Sequence, residues 1–133
     1  KFLDKDPLVT IGGHTLNHLS LKNQSDEEVE NQVVNGMHYF QEKSGIVIQH
    51  FAYPYGSLDD FDQRSIKILK SNGIKTAVLN HPGGVFKDNL EFSYQIPRIG
   101  LSDETSAERL EEFFNGKLHL NFNGINKVVV PLS

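Results

Sequence analysis

No cysteine occurs among the 133 residues. That removes disulfides, thiolate metal ligands and thiol nucleophiles, and leaves His, Asp, Glu and water to hold any metal. No block of Lys and Arg appears, and a net charge of -4 with a pI near 5.8 argues against nucleic acid as a partner, because phosphate binding rests on clustered cations. No apolar run reaches the roughly 18 residues of a membrane span, and no basic-then-apolar leader opens the chain. What remains is an ordinary globular composition, 38% hydrophobic and 23% charged with nine Phe for a core, read as one domain over residues 1–133. The opening Lys1-Phe2-Leu3-Asp4-Lys5-Asp6-Pro7 carries no initiator Met and reads as a helix end entering a strand. A portion of a longer protein is the expectation.

Strand and helix signals alternate along the chain. Leu8-Val9-Thr10-Ile11 is a short β-branched run that stops at Gly12-Gly13, and Ser25-Asp26-Glu27-Glu28 has the spacing of a capping box. Val29, Val33, Val34, Met37 and Phe40 then recur at helical spacing, with Glu30, Gln32, Asn35 and Glu42 between them, up to Gly45. A second strand is expected over Ile46-Val47-Ile48-Gln49-His50-Phe51-Ala52, ending in the turn Tyr53-Pro54-Tyr55-Gly56. Phe61, Ile66 and Leu69 mark a second helix that stops at Gly73, and Lys75-Thr76-Ala77-Val78-Leu79 a third strand. A fourth strand falls over 95–101, and Ser102-Asp103-Glu104 is placed as the cap of a last helix with Leu110, Phe113 and Phe114 inward. The fold class is therefore α/β, with parallel strands alternating with helices in an open sheet or a barrel, where function collects at the carboxyl ends of strands. Residues 115–133, with Val128-Val129-Val130, read as a tail or an added edge strand.

His14 and His18 sit just past the first strand, four residues apart, and two imidazoles at that spacing can reach one ion. Two ligands are too few by themselves, and a bare pair of this kind serves equally well as an ordinary loop. The wider pattern, Ile11-Gly12-Gly13-His14-Thr15-Leu16-Asn17-His18 and then Phe51-Ala52-Tyr53-Pro54-Tyr55-Gly56, resembles the polysaccharide deacetylases, the NodB-homology proteins of carbohydrate esterase family four. The histidine run is similar to their His-(Ser/Thr)-x-x-His metal motif. The tyrosine run is similar to their Pro-Tyr motif in a Phe-x-Tyr-Pro-Tyr-Gly branch, which Ile96-Pro97-Arg98-Ile99 also resembles, so that the likeness covers residues 8 to about 101.

The resemblance implies part of a distorted (β/α)7 barrel and a divalent metal, zinc with cobalt or nickel as alternatives, held by an Asp-His-His triad. It implies removal of N-acetyl, or O-acetyl, groups from an acetylated polysaccharide or oligosaccharide, with an Asp as base and a His as acid. His14 and His18 would be the metal ligands, and Thr15 would brace their loop. Tyr55 would offer its backbone N–H to an oxyanion, and Tyr53, Pro54 and Tyr55 would line the sugar groove. The family's Asp-Asp motif belongs upstream of His14, and Asp4 and Asp6 read instead as surface caps. The usual Arg of the Pro-Tyr motif is replaced by apolar residues near Phe51-Ala52, and Arg98 is the candidate to orient a catalytic Asp in its stead, with a surface ion pair as the other reading. His81 is a candidate acid, with a plain turn histidine before Pro82 as the other reading, and the Leu118-His119 pair lies in an Asn-Gly-rich tail.

His38 and His50 read as structural, Asp59-Asp60 with Asp62 as a helix N-terminus, and Asn23-Gln24-Ser25 as a cap that happens to match a glycosylation pattern. A degenerate, non-catalytic glycan-binding or assembly module is the alternative to an enzyme, and self-association through open sheet edges is a further expectation. The compartment stays open, although the resemblance favours the cell envelope or secretion.

Overall fold

Four parallel backbone segments lie side by side in chain order, two as short strands and two as single bridges. The computed structural model describes residues 5–83, 85 and 92–115. Strand β1 (His50–Ala52) pairs in parallel with β2 (Thr76–Val78), setting His50 opposite Thr76, Phe51 opposite Ala77 and Ala52 opposite Val78. Gly13 bridges to Phe51 on one side and Ile96 to Val78 on the other, both in parallel. The order is therefore residue 13, β1, β2, residue 96, and the expected α/β architecture of parallel segments and helices is what forms, with helices joining residue 13 to β1 and β1 to β2.

The run at 8–11 is not a strand. Val9 N turns back to Asp6 O at 3.0 Å, Leu8 N bonds the Asp6 carboxylate at 2.9 Å, and Leu8 is 93% exposed. Pairing begins at Gly13, whose N–H donates to His50 O at 2.8 Å while Ala52 N donates to Gly13 O at 2.9 Å. A β-branched run forms a strand when neighbours pair and cover it. Among the described residues this one has no such pairing, which starts beyond it at Gly13.

Ser25 caps the first helix as its spacing predicts, its hydroxyl accepting from Glu28 N at 3.2 Å. Helix α1 (Asp26–Glu30) runs through a π-helical turn at Asn31–Asn35 into α2 (Gly36–Ser44), which ends on Gly45. Val29, Val33 and Met37 are buried, whereas Phe40 stays 36% exposed. Gln32, expected on the polar side, is fully buried, because the wider π turn changes the phase of the face that meets the core.

Helix α3 (Gln63–Ser71) is capped by Asp62, which accepts from Arg64 N at 3.0 Å and Ser65 N at 3.2 Å. Burial alone would raise the Asp62 pKa, but the Arg64 guanidinium and these amides outweigh it and hold the carboxyl below the usual range. Arg64 also reaches Asp26 at 2.6 Å, tying the start of α3 to the start of α1. Asp59 pairs with Lys22 at 3.1 Å, and Asp60 accepts from Ser57 N and Oγ, so each of the three carboxylates has a local structural partner.

The last helix starts later than expected. Ser102 and Thr105 close a turn on each other, and Ser106 caps α4 (Ala107–Phe114) by accepting from Arg109 N at 3.2 Å. Phe114 is 88% exposed and not inward, and no residue of α4 is buried. The expectations placed on Asp4, Leu118, His119 and Val128-Val129-Val130 lie outside the described residues.

The core lies between α1–α3 and one face of the sheet. Phe51 and Ala77 point into it, as do Leu21, Val29, Val33, Ile66, Leu69 and Leu79. Each large apolar side chain so buried contributes about 1.5–3 kcal/mol. Residues 50, 52, 76 and 78 turn to the opposite, half-buried face, as a period of two requires. His50 bonds Thr76 Oγ1 there at 2.8 Å, in agreement with its structural reading.

Candidate functional site

The histidine loop leaves the sheet at Gly13, so its placement follows from the bridge to β1. His14 Nδ1 lies 2.7 Å from Ala52 O. A carbonyl only accepts, so Nδ1 carries the proton and Nε2 keeps its lone pair for a ligand. Thr15 Oγ1 accepts from His18 N at 3.0 Å, closing the loop. The two imidazole rings meet edge to face, with centroids 4.8 Å apart and planes at 71°.

The Tyr53-Pro54-Tyr55-Gly56 turn stands beside this loop at the carboxyl end of β1. Tyr55 is 60% exposed and its ring packs edge-on against His18 with centroids 4.8 Å apart. Its backbone N–H finds no acceptor among the described residues. Gly56 approaches the end of β2, where Asn80 N donates to Gly56 O at 2.9 Å. Thr15, His18 and Tyr55 are the non-glycine residues with positive φ among those described, at 63°, 59° and 59°. Such conformations cost of order 1–3 kcal/mol each and gather where geometry outranks stability.

Tyr53 takes its place from within the core. It is 1% exposed, stacked on Phe61 with centroids 4.1 Å apart, and its hydroxyl donates to Tyr94 O at 3.1 Å. Burial, reinforced by Tyr94, pushes its phenol far above the ordinary tyrosine value. Pro54 is buried with it. Both support the turn from within the core, and Tyr55 alone of the three presents a ring to solvent.

A cleft of about 390 Å³ opens between these elements, lined by His14, His18, Tyr53, Tyr55, Asn80, Arg98, Ile99 and Gly100. Arg98 is held there by its Nε, which donates to Leu79 O at 2.5 Å. The structure therefore brings together His14, His18, Tyr55 and Arg98, which lie on three separate segments. His81 is exposed and is not among the lining residues; its carbonyl accepts from Arg98 N at 3.1 Å. Asn80 and Gly100 do not stand out in the sequence, although each lies next to a segment end where a site is expected.

The donor set suits a divalent ion in part. His14 and His18 offer imidazole nitrogens along the cleft with the His14 tautomer fixed by a second partner, an arrangement common to metal-ligating histidines. No group of three or more His, Asp, Glu or Cys able to hold a metal occurs among the described residues.

Comparison with known proteins agrees with this geometry. A family model described as polysaccharide deacetylase matches residues 2–77, spanning both the histidine loop and the Pro54-Tyr55 turn. Among solved structures, the Streptococcus pyogenes deacetylase PplD in complex with acetate superposes with a TM-score of 0.68 at 21% identity, covering 76% of this chain and 42% of that one. IcaB from Ammonifex degensii gives 0.55 at 18% identity, covering 72% and 43%. These likenesses show a shared fold, of which the chain spans less than half the length of either neighbour. A search of curated proteins gives no match. With more than half of its residues under the family model, the chain belongs to the polysaccharide deacetylase family.

Proposed function

We propose that this chain forms part of a metal-dependent carbohydrate deacetylase, in which His14 and His18 supply two of the protein ligands to a divalent ion, zinc or else cobalt or nickel. The observation that carries this reading is the His14–Ala52 hydrogen bond, which commits one ring nitrogen to the scaffold and leaves the other for an ion shared with His18. The remaining ligand is a carboxylate from outside the described residues. When bound, such an ion polarises an acyl carbonyl and lowers the pKa of water.

The chain's own residues act around that centre. Tyr55 donates its backbone N–H, unpartnered among the described residues, to the oxygen on which charge develops as the acetyl carbonyl is attacked, a contact worth about 2.7–4 kcal/mol in comparable sites. Its exposed ring forms a wall against which a sugar stacks. Arg98, anchored through Nε to Leu79 O, turns its remaining donors to a carboxylate that enters the cleft and keeps that acid ionised. The substrate is an N-acetylated, or O-acetylated, polysaccharide. PplD, a deacetylase solved with acetate, supports acetyl as the group removed.

Acetate release from N- and O-acetylated oligosaccharides by the zinc-loaded full-length protein tests the reading. Release is expected, with a fall of about a hundredfold in His14→Ala. No release from either class by the loaded protein overturns it.

The exposed Tyr55 ring at the cleft, which can stack on a sugar without any metal, favours a second reading, a non-catalytic glycan-binding or assembly module. Oligosaccharide affinity untouched by chelation and by His14→Ala identifies that case. Exposed Leu8, Val9 and Val47 beside the sparsely paired 8–13 segment are the surface for self-association, which sedimentation at increasing concentration reads directly.

A further inference from the structure

The geometry points to Gln32, oriented by Glu28, as the positioning residue that sets the histidine loop from the helix behind it. This deepens the proposed metal site and rests on that reading for its functional meaning.

Gln32 is a polar side chain with no exposed surface, in the middle of a helix that buries Val29 and Val33 on either side. A buried amide is costly unless its donors and acceptors are met. Here both ends are met, the oxygen by the loop and the nitrogen by Glu28. Its Oε1 accepts from Asn17 N at 2.8 Å, and its main-chain O accepts from Leu16 N at 3.0 Å. One residue thus holds two successive amides between His14 and His18. The π-helical turn at Asn31–Asn35 accounts for the second bond, since the irregular turn lets the Gln32 carbonyl face outside the helix. Gly36, one turn on, permits the approach: a Cβ there would lie 3.3 Å from Leu16 N.

Glu28 fixes which way the amide points. Its Oε1 accepts from Gln32 Nε2 at 2.7 Å, so the nitrogen must face the carboxylate and the oxygen must face Asn17. The Asn17 N–H, which can only donate, requires the same orientation, so Glu28 and Asn17 hold the amide from its two ends. The loop it steadies is strained, with Thr15 and His18 both at positive φ, and a strained conformation persists only where its surroundings over-determine it. Thr15 Oγ1 closes the loop from within and the Glu28–Gln32 pair holds it from behind.

The test uses three variants of the full-length protein, Glu28→Ala, Glu28→Gln and Gln32→Leu, with zinc affinity by calorimetry and amide exchange at Asn17 by NMR as readouts. Glu28→Ala and Gln32→Leu are expected to weaken zinc binding about tenfold and to speed exchange at Asn17, as loss of an outer partner of a metal site does. Glu28→Gln keeps the acceptor for Gln32 Nε2 and is expected to stay near wild type in both. A merely structural role would lower the melting temperature and leave the zinc affinity of the folded protein unmoved. Wild-type zinc affinity and Asn17 exchange in Glu28→Ala overturn the inference, and decide it even if Gln32→Leu does not fold. If the wild type shows no zinc binding that depends on His14, the metal site itself fails, and Asn17 exchange alone then decides whether the clamp exists.

Discussion

His14 donates through Nδ1 to the carbonyl of Ala52 across 2.7 Å, and this bond joins the two sequence motifs into one site. The histidine lies on the loop after Gly13, and the acceptor is the last residue of β1, directly before the Tyr53-Pro54-Tyr55-Gly56 turn. The parallel bridge between Gly13 and Phe51 sets the register that makes the contact possible. A shift of one residue would turn the ring's partner to the other face.

Tyr55 and Tyr53 should separate cleanly on mutation. Tyr55→Gly keeps the backbone N–H and relieves the positive φ, so kcat is expected to change less than about threefold while KM for an oligosaccharide rises with loss of the ring wall. Tyr53→Phe deletes the donor to Tyr94 O and is expected to cost about 0.5–1.5 kcal/mol of stability with KM unchanged. Steady-state kinetics and urea unfolding on the two variants check both.

Gly56→Ala is expected to destabilise the fold by about 1–3 kcal/mol or more. Its φ is 72°, and a Cβ would lie 2.5 Å from Asn80 N, which is backbone and cannot swing aside. Because Gly56 follows Tyr55, the same change should displace the proposed oxyanion donor and lower kcat beyond what unfolding explains. Denaturation midpoints and kcat at a temperature where the variant is fully folded distinguish the two effects.

Much of this site is legible in the sequence because its signals are local. Ser25 with Glu28 marks a cap, Asp62 another, and the His14-His18 and Pro54-Tyr55 runs each follow a parallel pairing, at Gly13 and at β1. Gln32 escapes such a reading because a regular helical period puts it among polar neighbours, and nothing in a single sequence announces a π turn. Tyr53 lines the cleft from its buried side: alternation puts Phe51 and Tyr53 on the inward face, and the Pro54 turn, with Tyr55 at positive φ, ends that alternation and leaves Tyr55 outside. Ser102-Asp103-Glu104 imitates a cap, but Thr105 closes it as a turn and Ser106 takes the role.

Acid stability should depend on Asp62. The native state holds this carboxyl below its unfolded pKa of about 3.9, so the unfolded chain takes up the proton first. The contribution is complete above that value and is lost as pH falls through the native pKa. Asp62→Asn keeps an acceptor for Arg64 N and Ser65 N but removes the charge, so the difference in stability between the two proteins, present at neutral pH, should shrink below about pH 4. Unfolding curves between pH 2 and pH 7, at about one-unit steps, read it.

The central claim concerns two imidazoles and one ion, and 15N-imidazole NMR of the protein titrated with zinc tests it most directly. The expected result is a shift of the His14 signal at Nε2 with Nδ1 still protonated, a coincident shift at His18, and none at His38 or His50. Zinc that shifts His38 or His50 while leaving His14 and His18 in place would contradict it.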